Sequence, residues 1–305
     1  MTVKKVRIVE VGPRDGLQNE KTIISTSDKF EFINLLIKAG VRSLEATSFV
    51  RAEKIPQMSD GLELSKLLQS FVDNKDLELF ALVPNQIGLQ KAIESKLKHI
   101  AVFTATSETF NKRNINASID ESLERIRPVV NEANKNGLKT RGYISTVFGC
   151  PYEGKTSLEK MLYLVDELKK LNCFEISLGD TIGVGHPDQV VEVINRLKAH
   201  HDLSYFSMHF HDTRGTALAN ILASLREGIS NFDASAGGLG GCPYAVGSSG
   251  NVATEDVLYM LHSMGIETGI DFDKLFKASE FILKLLGKES SSKMHRAYAS
   301  TCKLN

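Results

Sequence analysis

The sequence lacks a net charge, closely spaced cysteines and long apolar runs. Its 305 residues include 37 Lys and Arg and 37 Asp and Glu, so no overall field favours nucleic acid or an anionic membrane. The four cysteines (Cys150, Cys173, Cys242 and Cys302) are widely spaced and form no CxxC motif, which argues against a disulfide framework or a structural zinc knuckle. No apolar run approaches the length of a membrane span. We therefore expect a globular protein without nucleic-acid or membrane partners, in which any charged ligand meets a local site.

The first residues also lack the apolar region of a signal peptide and the Arg- and Ser-rich pattern of a transit helix. At the other end, Cys302-Lys303-Leu304 has the form of a peroxisomal tripeptide, but such signals are read at the chain end and Asn305 follows. We therefore expect a cytoplasmic protein with free thiols.

Short β-branched runs alternate with helical segments along the whole chain. The runs are residues 6–11, 41–48, 77–83, 99–105, 140–146, 174–181, 205–212 and 231–236. Helical periodicity is found in residues 28–39, 118–135, 157–171 and 216–227, with Ser118 and Ser157 as expected N-caps. About eight such units predict an α/β protein with a closed (β/α)8 TIM barrel, and an open doubly wound sheet is the alternative.

No linker rich in Pro, Gly or Ser divides the chain, and no charge block does. We therefore expect one catalytic domain over residues 1–305, with the barrel at about 5–265. An additional C-terminal helical segment is predicted at residues 271–286, within a C-terminal region of about 271–305 whose residues 288–305 read as a polar tail.

Residues 149–156 (GCPYEGKT) match the phosphate-binding pattern GxxxxGK[ST] between a predicted strand and a predicted helix. A phosphate cradle needs free backbone N–H groups, whereas Pro151 removes one and Glu153 places an anion beside the phosphates. We therefore reject a nucleotide site at this loop.

His209 and His211 stand two residues apart in the strand-like run 205–212. Strand side chains alternate between faces, so both imidazoles point the same way and could hold one metal ion. The motif is short, and a pair of histidines on a solvated or hydrogen-bonded face is the alternative.

Several other predicted strands end in residues capable of chemistry. In a closed barrel the carboxyl ends of all strands open on one face, so these side chains converge there. They are Arg14 and Asp15 after the first strand, Glu45 in the second, Arg141 in the fifth, Asp180 in the sixth, and Asn251 beyond the glycine-rich stretch that leads into Cys242. Taken singly, each could form a rim ion pair, a helix cap or a turn.

One carboxylate and two imidazoles come from Asp15, His209 and His211, and Asn251 could add an amide oxygen. This set leaves positions open in an octahedron, which suits Mg²⁺ or Mn²⁺ with substrate oxygens completing the shell. Zinc is the competitor, but zinc amidohydrolases place His-x-His on the first strand of the barrel, and here it lies on the seventh.

Five stretches that span nearly the whole chain resemble the 3-hydroxy-3-methylglutaryl-CoA lyase family. They are residues 12–20 (GPRDGLQNE), 45–50 (EATSFV), 176–183 (ISLGDTIG), 209–213 (HFHDT) and 238–245 (GLGGCPYA). The Arg-Asp and His-x-His elements are shared across a wider group of metal-dependent barrel enzymes. The cysteine loop followed by Gly250-Asn251 is the specific element, because related condensing synthases carry a Gly-Glu-Arg-Ala-Gly-Asn type of loop.

The resemblance implies cleavage of 3-hydroxy-3-methylglutaryl-CoA to acetyl-CoA and acetoacetate, as in leucine degradation and ketone body metabolism, by a homodimer. It implies a divalent-ion site made of Asp15, His209, His211 and Asn251. Arg14 would contact the thioester oxygen, where a fixed guanidinium stabilises the enolate of the departing acetyl-CoA. Cys242 would be the catalytic thiol that protonates the enolate carbon.

Other roles are expected from position alone. Glu45 and Asp180 are expected to be catalytic and Arg141 to bind substrate. The acceptor of the hydroxyl proton stays open between His209, Asp15 and Glu45. Cys150 is the rival thiol because residues 149–152 repeat the Gly-Cys-Pro-Tyr of residues 241–244, and Cys242 is preferred because four glycines precede it and the resemblance points there.

Three departures from the family pattern concern the substrate. Residues 50–58 (VRAEKIPQM) replace a Pro-Lys-Trp element, and Arg214 and His186 stand where Tyr and Thr are usual. A lyase for a longer 3-hydroxy-3-alkylglutaryl-CoA therefore stays open. Two other functions are the alternatives to a lyase: a condensing synthase on the same scaffold, and a metal-binding barrel that has no catalytic activity.

Overall fold

The computed structural model describes residues 3–241 and 250–302, and its centre is a closed barrel of eight parallel strands. The strands are β1 (Arg7–Glu10), β2 (Ser43–Ser48), β3 (Glu78–Leu82), β4 (His99–Ala105), β5 (Lys139–Ser145), β6 (Glu175–Asp180), β7 (Phe206–Phe210) and β8 (Asn231–Ala234). Each strand pairs in parallel with the next, and β8 closes the barrel on β1, with Glu10 beside Ala234. The predicted TIM barrel is confirmed, and the open doubly wound sheet is wrong.

The helices surround the barrel and connect its strands. They are α1 (Thr26–Lys38), α2 (Gly61–Leu67), α3 (Gln69–Val72), α4 (Gln86–Glu94), α5 (Glu108–Ile115), α6 (Ile119–Lys135), α7 (Leu158–Lys170), α8 (Pro187–Lys198), α9 (Ala217–Glu227), α10 (Thr254–Ser263), α11 (Phe272–Leu286) and α12 (Lys293–Cys302). The hydroxyls of Ser118 and Ser157 cap α6 and α7 as predicted, accepting the N–H groups of Glu121 and Lys160. Within the described ranges, no helix has the length and apolar character needed to cross a bilayer.

The barrel separates apolar and charged residues by strand face. Apolar side chains of the outer strand faces pack with the helices in one large core. The inner face carries buried charges instead, including Arg141, Glu175 and Asp233. Because inward positions recur every second residue, polar residues at that period in neighbouring strands meet inside the barrel.

Residues 288–305 were expected to be a polar tail, but they contain α12. The carboxylate of Asp256 in α10 accepts the N–H groups of Lys293 and Met294 at the start of this helix. The rings of Phe276 and His295 stack with centroids 4.4 Å apart. The helix was missed because the partner of its N-terminus comes from α10, a contact that no local sequence pattern encodes.

The loop at residues 149–156 is a tight turn. The backbone N–H groups of Cys150 and Gly154 each donate to the other residue's carbonyl, at 2.8 and 2.9 Å. These N–H groups are therefore not free to bind phosphate, in agreement with the rejection of a nucleotide site.

Candidate active site

The loop after β1 forms a single π-helical turn at Gly12–Gly16. The N–H groups of Gly16 and Leu17 donate to the carbonyls five residues earlier, each at 3.0 Å. A β-carbon on Gly16 would lie 2.8 Å from Ser235 Oγ and 2.9 Å from Leu239 Cβ, so glycine permits this close packing on the segment after β8. The turn places the side chains of Arg14 and Asp15 in a cavity at the carboxyl ends of the strands.

The Arg14 guanidinium is held by two carboxylates. Its Nε donates to Glu45 Oε2 at 2.7 Å, its Nη2 pairs with the same carboxylate, and its Nη1 donates to Asp15 Oδ1 at 2.7 Å. Burial opposes the charge of the guanidinium, but Glu45 and Asp15 raise the pKa of Arg14 above its ordinary value. Arg14 is thus a permanent cation with a fixed orientation in the cavity wall.

The two histidines lie side by side as the strand periodicity predicted, with ring centroids 5.2 Å apart. Asp15, His209 and His211 each offer one ligand atom, and these atoms lie within 4.8 Å of one another. Burial opposes ionisation of Asp15, but Arg14 and the histidines lower the pKa of its carboxyl below the ordinary value. Burial and the neighbouring His209 lower the pKa of His211 to about 4, which leaves the ring a neutral donor near pH 7. Both groups are in the protonation states that metal ligands require.

Asn251 completes this cluster through a backbone bridge to His211. Its Nδ2 donates to Asp15 Oδ2 at 2.9 Å and to the Leu239 carbonyl at 3.2 Å. Among the described residues, the buried Asn251 Oδ1 and His211 Nδ1 have no hydrogen-bond partner. Buried polar atoms normally find partners, and a cation would supply one to the oxygen. The donor set therefore fits a divalent metal ion.

Glycines at the base of the loop after β8 allow this arrangement. Gly240 has φ +125°, and a β-carbon there would lie 2.7 Å from Asn251 Nδ2. Gly250 has φ +79°, and its β-carbon would lie 2.3 Å from the Gly240 carbonyl oxygen. The two ends of the loop thus approach each other too closely for any side chain.

Sequence reasoning missed Asp233, which lies beside His209 in the register of β7 and β8. His209 Nδ1 lies 3.1 Å from Asp233 Oδ2. Burial disfavours both charges, but Arg141 and His209 keep the pKa of the Asp233 carboxyl below its ordinary value. The hydrogen bond to Asp233 raises the pKa of His209 against the effect of burial. The available signal was an acidic residue at an inward position of β8, between the apolar Phe232 and Ala234.

Arg141 was expected to bind substrate, but its guanidinium is fully buried inside the barrel and is not part of the cavity wall. Its Nε donates to Glu175 Oε1 and its Nη2 to Asp233 Oδ1, each at 2.5 Å. Its Nη1 donates to the hydroxyl of Tyr143. All three nitrogen atoms of this guanidinium thus donate to protein groups, and no pair of its N–H groups is directed at a substrate.

The other two carboxylates expected to be catalytic are also buried. Glu45 lies behind Arg14, and burial raises its pKa in spite of that cation. Asp180 accepts the N–H groups of Val184 at 3.0 Å and Gly185 at 2.9 Å, and burial raises its pKa as well. Neither lines the cavity. In these positions Glu45 holds Arg14, and Asp180 holds the loop after β6. Their catalytic roles stay predictions.

The two candidate thiols differ in what can be said of them. Cys242 lies outside the described residues, so its role as proton donor stays a prediction. Cys150 is buried, and its Sγ donates to Ser107 Oγ at 3.0 Å. The same sulfur accepts the N–H groups of Tyr152 and Glu153, each at 3.4 Å. These contacts give Cys150 a structural role in the turn after β5.

The cavity has a volume of about 720 Å³. Arg14, Asp15, His209 and His211 line its buried part together with Tyr143. Exposed basic residues line its outer part, namely Arg51, Lys54 and Arg125. The size and the basic lining suit an anionic ligand whose reacting end meets the Asp-His-His cluster.

Comparisons with known proteins identify the family of this chain. The HMGL-like family model matches residues 5–282. The hydroxymethylglutaryl-CoA lyase of Bacillus subtilis is 47% identical over 298 residues, covering 98% of this chain and 99% of the relative.

The fold of the chain also resembles those of solved structures. The hydroxymethylglutaryl-CoA lyase of Pseudomonas aeruginosa superposes with a TM-score of 0.95 at 45% identity, covering 99% of this chain and 100% of that one. A lyase from Acinetobacter baumannii in complex with coenzyme A and 3-methylmalate gives a TM-score of 0.91 at 36% identity, covering 97% and 96%. A family match over most of the chain and near-half identity over almost its full length lead to one conclusion: the chain belongs to the HMGL-like family.

Proposed function

We propose that this protein is a lyase that cleaves 3-hydroxy-3-methylglutaryl-CoA to acetyl-CoA and acetoacetate. The observation that carries the proposal is the Asp15, His209 and His211 cluster beside the fixed guanidinium of Arg14, at the inner end of the cavity. The near full-length relatives bear the name of this lyase, which supports cleavage over condensation.

A divalent ion, Mg²⁺ or Mn²⁺, is proposed to bind Asp15, His209, His211 and the Oδ1 of Asn251. Such an ion, when bound, acidifies a hydroxyl group and neutralises negative charge on oxygen. The unpartnered Asn251 Oδ1 and the close approach of the other three donors support this set. The carboxylate oxygen of Asp15 and the amide oxygen of Asn251 suit both ions.

The protein's own residues then have distinct tasks. The tertiary hydroxyl must lose its proton while the C2–C3 bond breaks, and the electron pair of that bond passes to the acetyl-CoA enolate. Asp15 faces the cavity and stays the candidate for the proton acceptor. Glu45 is committed to Arg14, and His209 has no free ring nitrogen when its Nδ1 faces Asp233 and its other nitrogen binds the ion. Arg14 stabilises the enolate oxygen because its charge is fixed before the reaction begins. Cys242 is proposed to return a proton to the enolate carbon.

The remaining properties are proposed from the sequence and the relatives. The acyl-CoA substrate is supported by the relative that binds coenzyme A. We propose a single catalytic domain that forms a homodimer in the cytoplasm and serves leucine degradation or ketone body metabolism. Light scattering of the purified protein would measure the number of subunits.

The test is to incubate the purified protein with 3-hydroxy-3-methylglutaryl-CoA and Mg²⁺ and to measure acetoacetate and acetyl-CoA. Both products should appear in equal amounts, and removal of divalent ions should stop their formation. His211→Ala should lose Mn²⁺ binding and turnover, while the exposed His200→Ala should retain both. Wild-type metal affinity and turnover in His211→Ala would refute the proposed site.

A further inference from the structure

We propose that Asp233 is a positioning residue that fixes the tautomer of His209 and thereby aims its Nε2 at the metal site. This inference rests on the proposed metal site of the lyase and assigns a task to a residue outside the cavity wall. The starting observation is the 3.1 Å separation of His209 Nδ1 and Asp233 Oδ2 between adjacent strands. A carboxylate only accepts hydrogen bonds, so the ring proton must lie on Nδ1. The lone pair is then on Nε2.

Four hydrogen bonds fix the orientation of the Asp233 carboxylate. Its Oδ1 accepts from Arg141 Nη2 at 2.5 Å and from Ser207 Oγ at 3.1 Å. Its Oδ2 accepts from Ser177 Oγ at 3.0 Å in addition to the histidine. Both oxygens are buried and carry two donors each, so the carboxylate plane is fixed by four contacts. Such support is what holds a metal-binding imidazole within a narrow range of angles.

The chain of ion pairs continues away from the site. Arg141 also donates to Glu175, which pairs with Arg7, and Arg7 pairs with Glu78 at 2.7 Å. The orientation of Asp233 is therefore set from inside the barrel, where no substrate reaches. Arg141, expected from the sequence to bind substrate, supports the site through Asp233 in this arrangement.

The alternative is that Asp233 only balances the charge of Arg141 and does not act on His209. Glu175 provides the matched comparison, because it contacts the same guanidinium but not His209. Asp233→Asn and Glu175→Gln each remove one negative charge beside Arg141. Only Asp233→Asn can place an amide N–H against Nδ1, which forces the ring proton onto Nε2. An orienting carboxylate changed to an amide acts on a catalytic histidine in this way in serine proteases.

The first measurement is Mn²⁺ affinity, by electron paramagnetic resonance of the free ion. We expect Asp233→Asn to weaken binding by about 10- to 100-fold, the usual effect of losing the partner of a metal-binding histidine. Glu175→Gln should stay within about threefold of the wild type even if its melting temperature falls, since the partner of His209 is intact. Equal losses in the two variants, or no loss in Asp233→Asn, would overturn the proposal.

The second measurement needs no variant at position 233. Two-dimensional ¹⁵N NMR of the metal-free wild-type protein, labelled in histidine and recorded at a pH high enough for His209 to be neutral, reports the tautomer of each ring, and His209→Gln identifies the signal. The proton should reside on Nδ1 of His209, and a proton on Nε2 would overturn the inference even if Asp233→Asn fails to fold.

Neither measurement needs turnover, so a wild type that binds Mn²⁺ but cleaves no substrate would refute only the proposed reaction. A wild type that binds no Mn²⁺ would refute both proposals.

Discussion

Arg14 shows how this site prepares a charge before any substrate arrives. Two of its nitrogen atoms are directed at Glu45, and a third is directed at Asp15. Only 6% of the residue is exposed, so the ion pairs form in a poorly hydrated environment. A charge that needs no reorganisation acts most strongly on the enolate, which appears only as the carbon–carbon bond breaks.

Arg14→Gln should therefore lower kcat far more than it raises KM. We expect a loss of about 10²-fold or more in kcat, the usual cost of removing one preorganised donor. Steady-state kinetics with 3-hydroxy-3-methylglutaryl-CoA at saturating Mg²⁺ would measure both constants. Arg226→Gln, which changes an exposed arginine of α9, is the control and should match the wild type. A raised KM with unchanged kcat in Arg14→Gln would show that Arg14 only binds substrate.

The sequence predicted some residues of the site and missed others for a physical reason. His209 and His211 were found because their spacing alone places them on one strand face, and the structure brings them to Asp15 and Asn251. Asp233 was missed because its contact depends on the register of β7 against β8, which no local pattern encodes. Arg141 was expected at the carboxyl end of its strand, but it is the third residue of β5 and lies inside the barrel, where Glu175 and Asp233 hold its guanidinium.

At the scale of elements, two buried carboxylates hold the segment that follows β8. Glu10 Oε1 accepts the N–H groups of Gly12 at 2.8 Å and Ala236 at 2.9 Å, and its Oε2 accepts the Thr254 hydroxyl at 2.7 Å. Glu255 accepts the Gly237 N–H at 2.9 Å. Burial raises the pKa of each carboxyl to about 7, although the hydrogen bonds oppose that shift. The base of the cysteine loop is therefore held by groups that titrate near neutral pH.

Glu10→Gln should change the pH dependence of stability. In the wild type the folded carboxyl, with its pKa at about 7, keeps a proton that the unfolded chain loses near pH 4.5. This group therefore makes the protein less stable as pH rises between those values, and the loss is complete above pH 7. Glutamine does not titrate and can donate to Thr254. The free energy of unfolding of Glu10→Gln, relative to the wild type, should rise by up to about 3 kcal/mol from pH 4.5 to 8.

Urea unfolding of both proteins at pH 5, 6, 7 and 8 measures this difference. Glu63→Gln, which neutralises an exposed carboxylate of α2, should differ from the wild type by a constant amount over the same range. Parallel curves for Glu10→Gln and the wild type would show that Glu10 keeps the same pKa in the folded and unfolded states.

Elements with a periodic pattern were predictable, and elements made by contacts were not. Each of the eight predicted runs overlaps one strand of the barrel, and β5 is the strand that begins outside its run, at Lys139. The runs were recognisable because β-branched and apolar residues mark buried parallel strands. The π-helical turn at Gly12–Gly16 has no local signal, since it depends on the packing of Gly16 against Ser235 and Leu239. Helix α12 was missed for the same reason, as Asp256 from another helix begins it.

At the scale of the whole molecule, the absence of net charge conceals a local separation of charge. The 37 basic and 37 acidic residues balance over the chain. At the outer part of the cavity, however, Arg51, Lys54 and Arg125 are exposed, and Asp15 is the one acidic residue among the described residues of the wall. Arg51 and Lys54 belong to the segment that departs from the family pattern. Exposed charges of one sign at a cavity mouth attract oppositely charged ligands.

The phosphates of the acyl-CoA are expected to lie near Arg51 and Lys54, far from the reacting carbon. The double change Arg51→Gln and Lys54→Gln should therefore raise KM for 3-hydroxy-3-methylglutaryl-CoA by about three- to tenfold and leave kcat unchanged, because exposed charges act weakly and mainly on binding. The wild-type KM should also rise between 0.05 and 0.5 M NaCl, by roughly the same factor, as salt screens these charges. The double variant should show a smaller rise. Lys139→Gln changes an exposed lysine at the amino end of β5, on the opposite side of the barrel, and should leave both KM and its salt dependence at wild-type values. A double variant with wild-type KM at low salt would place the phosphates elsewhere and direct attention to Arg125.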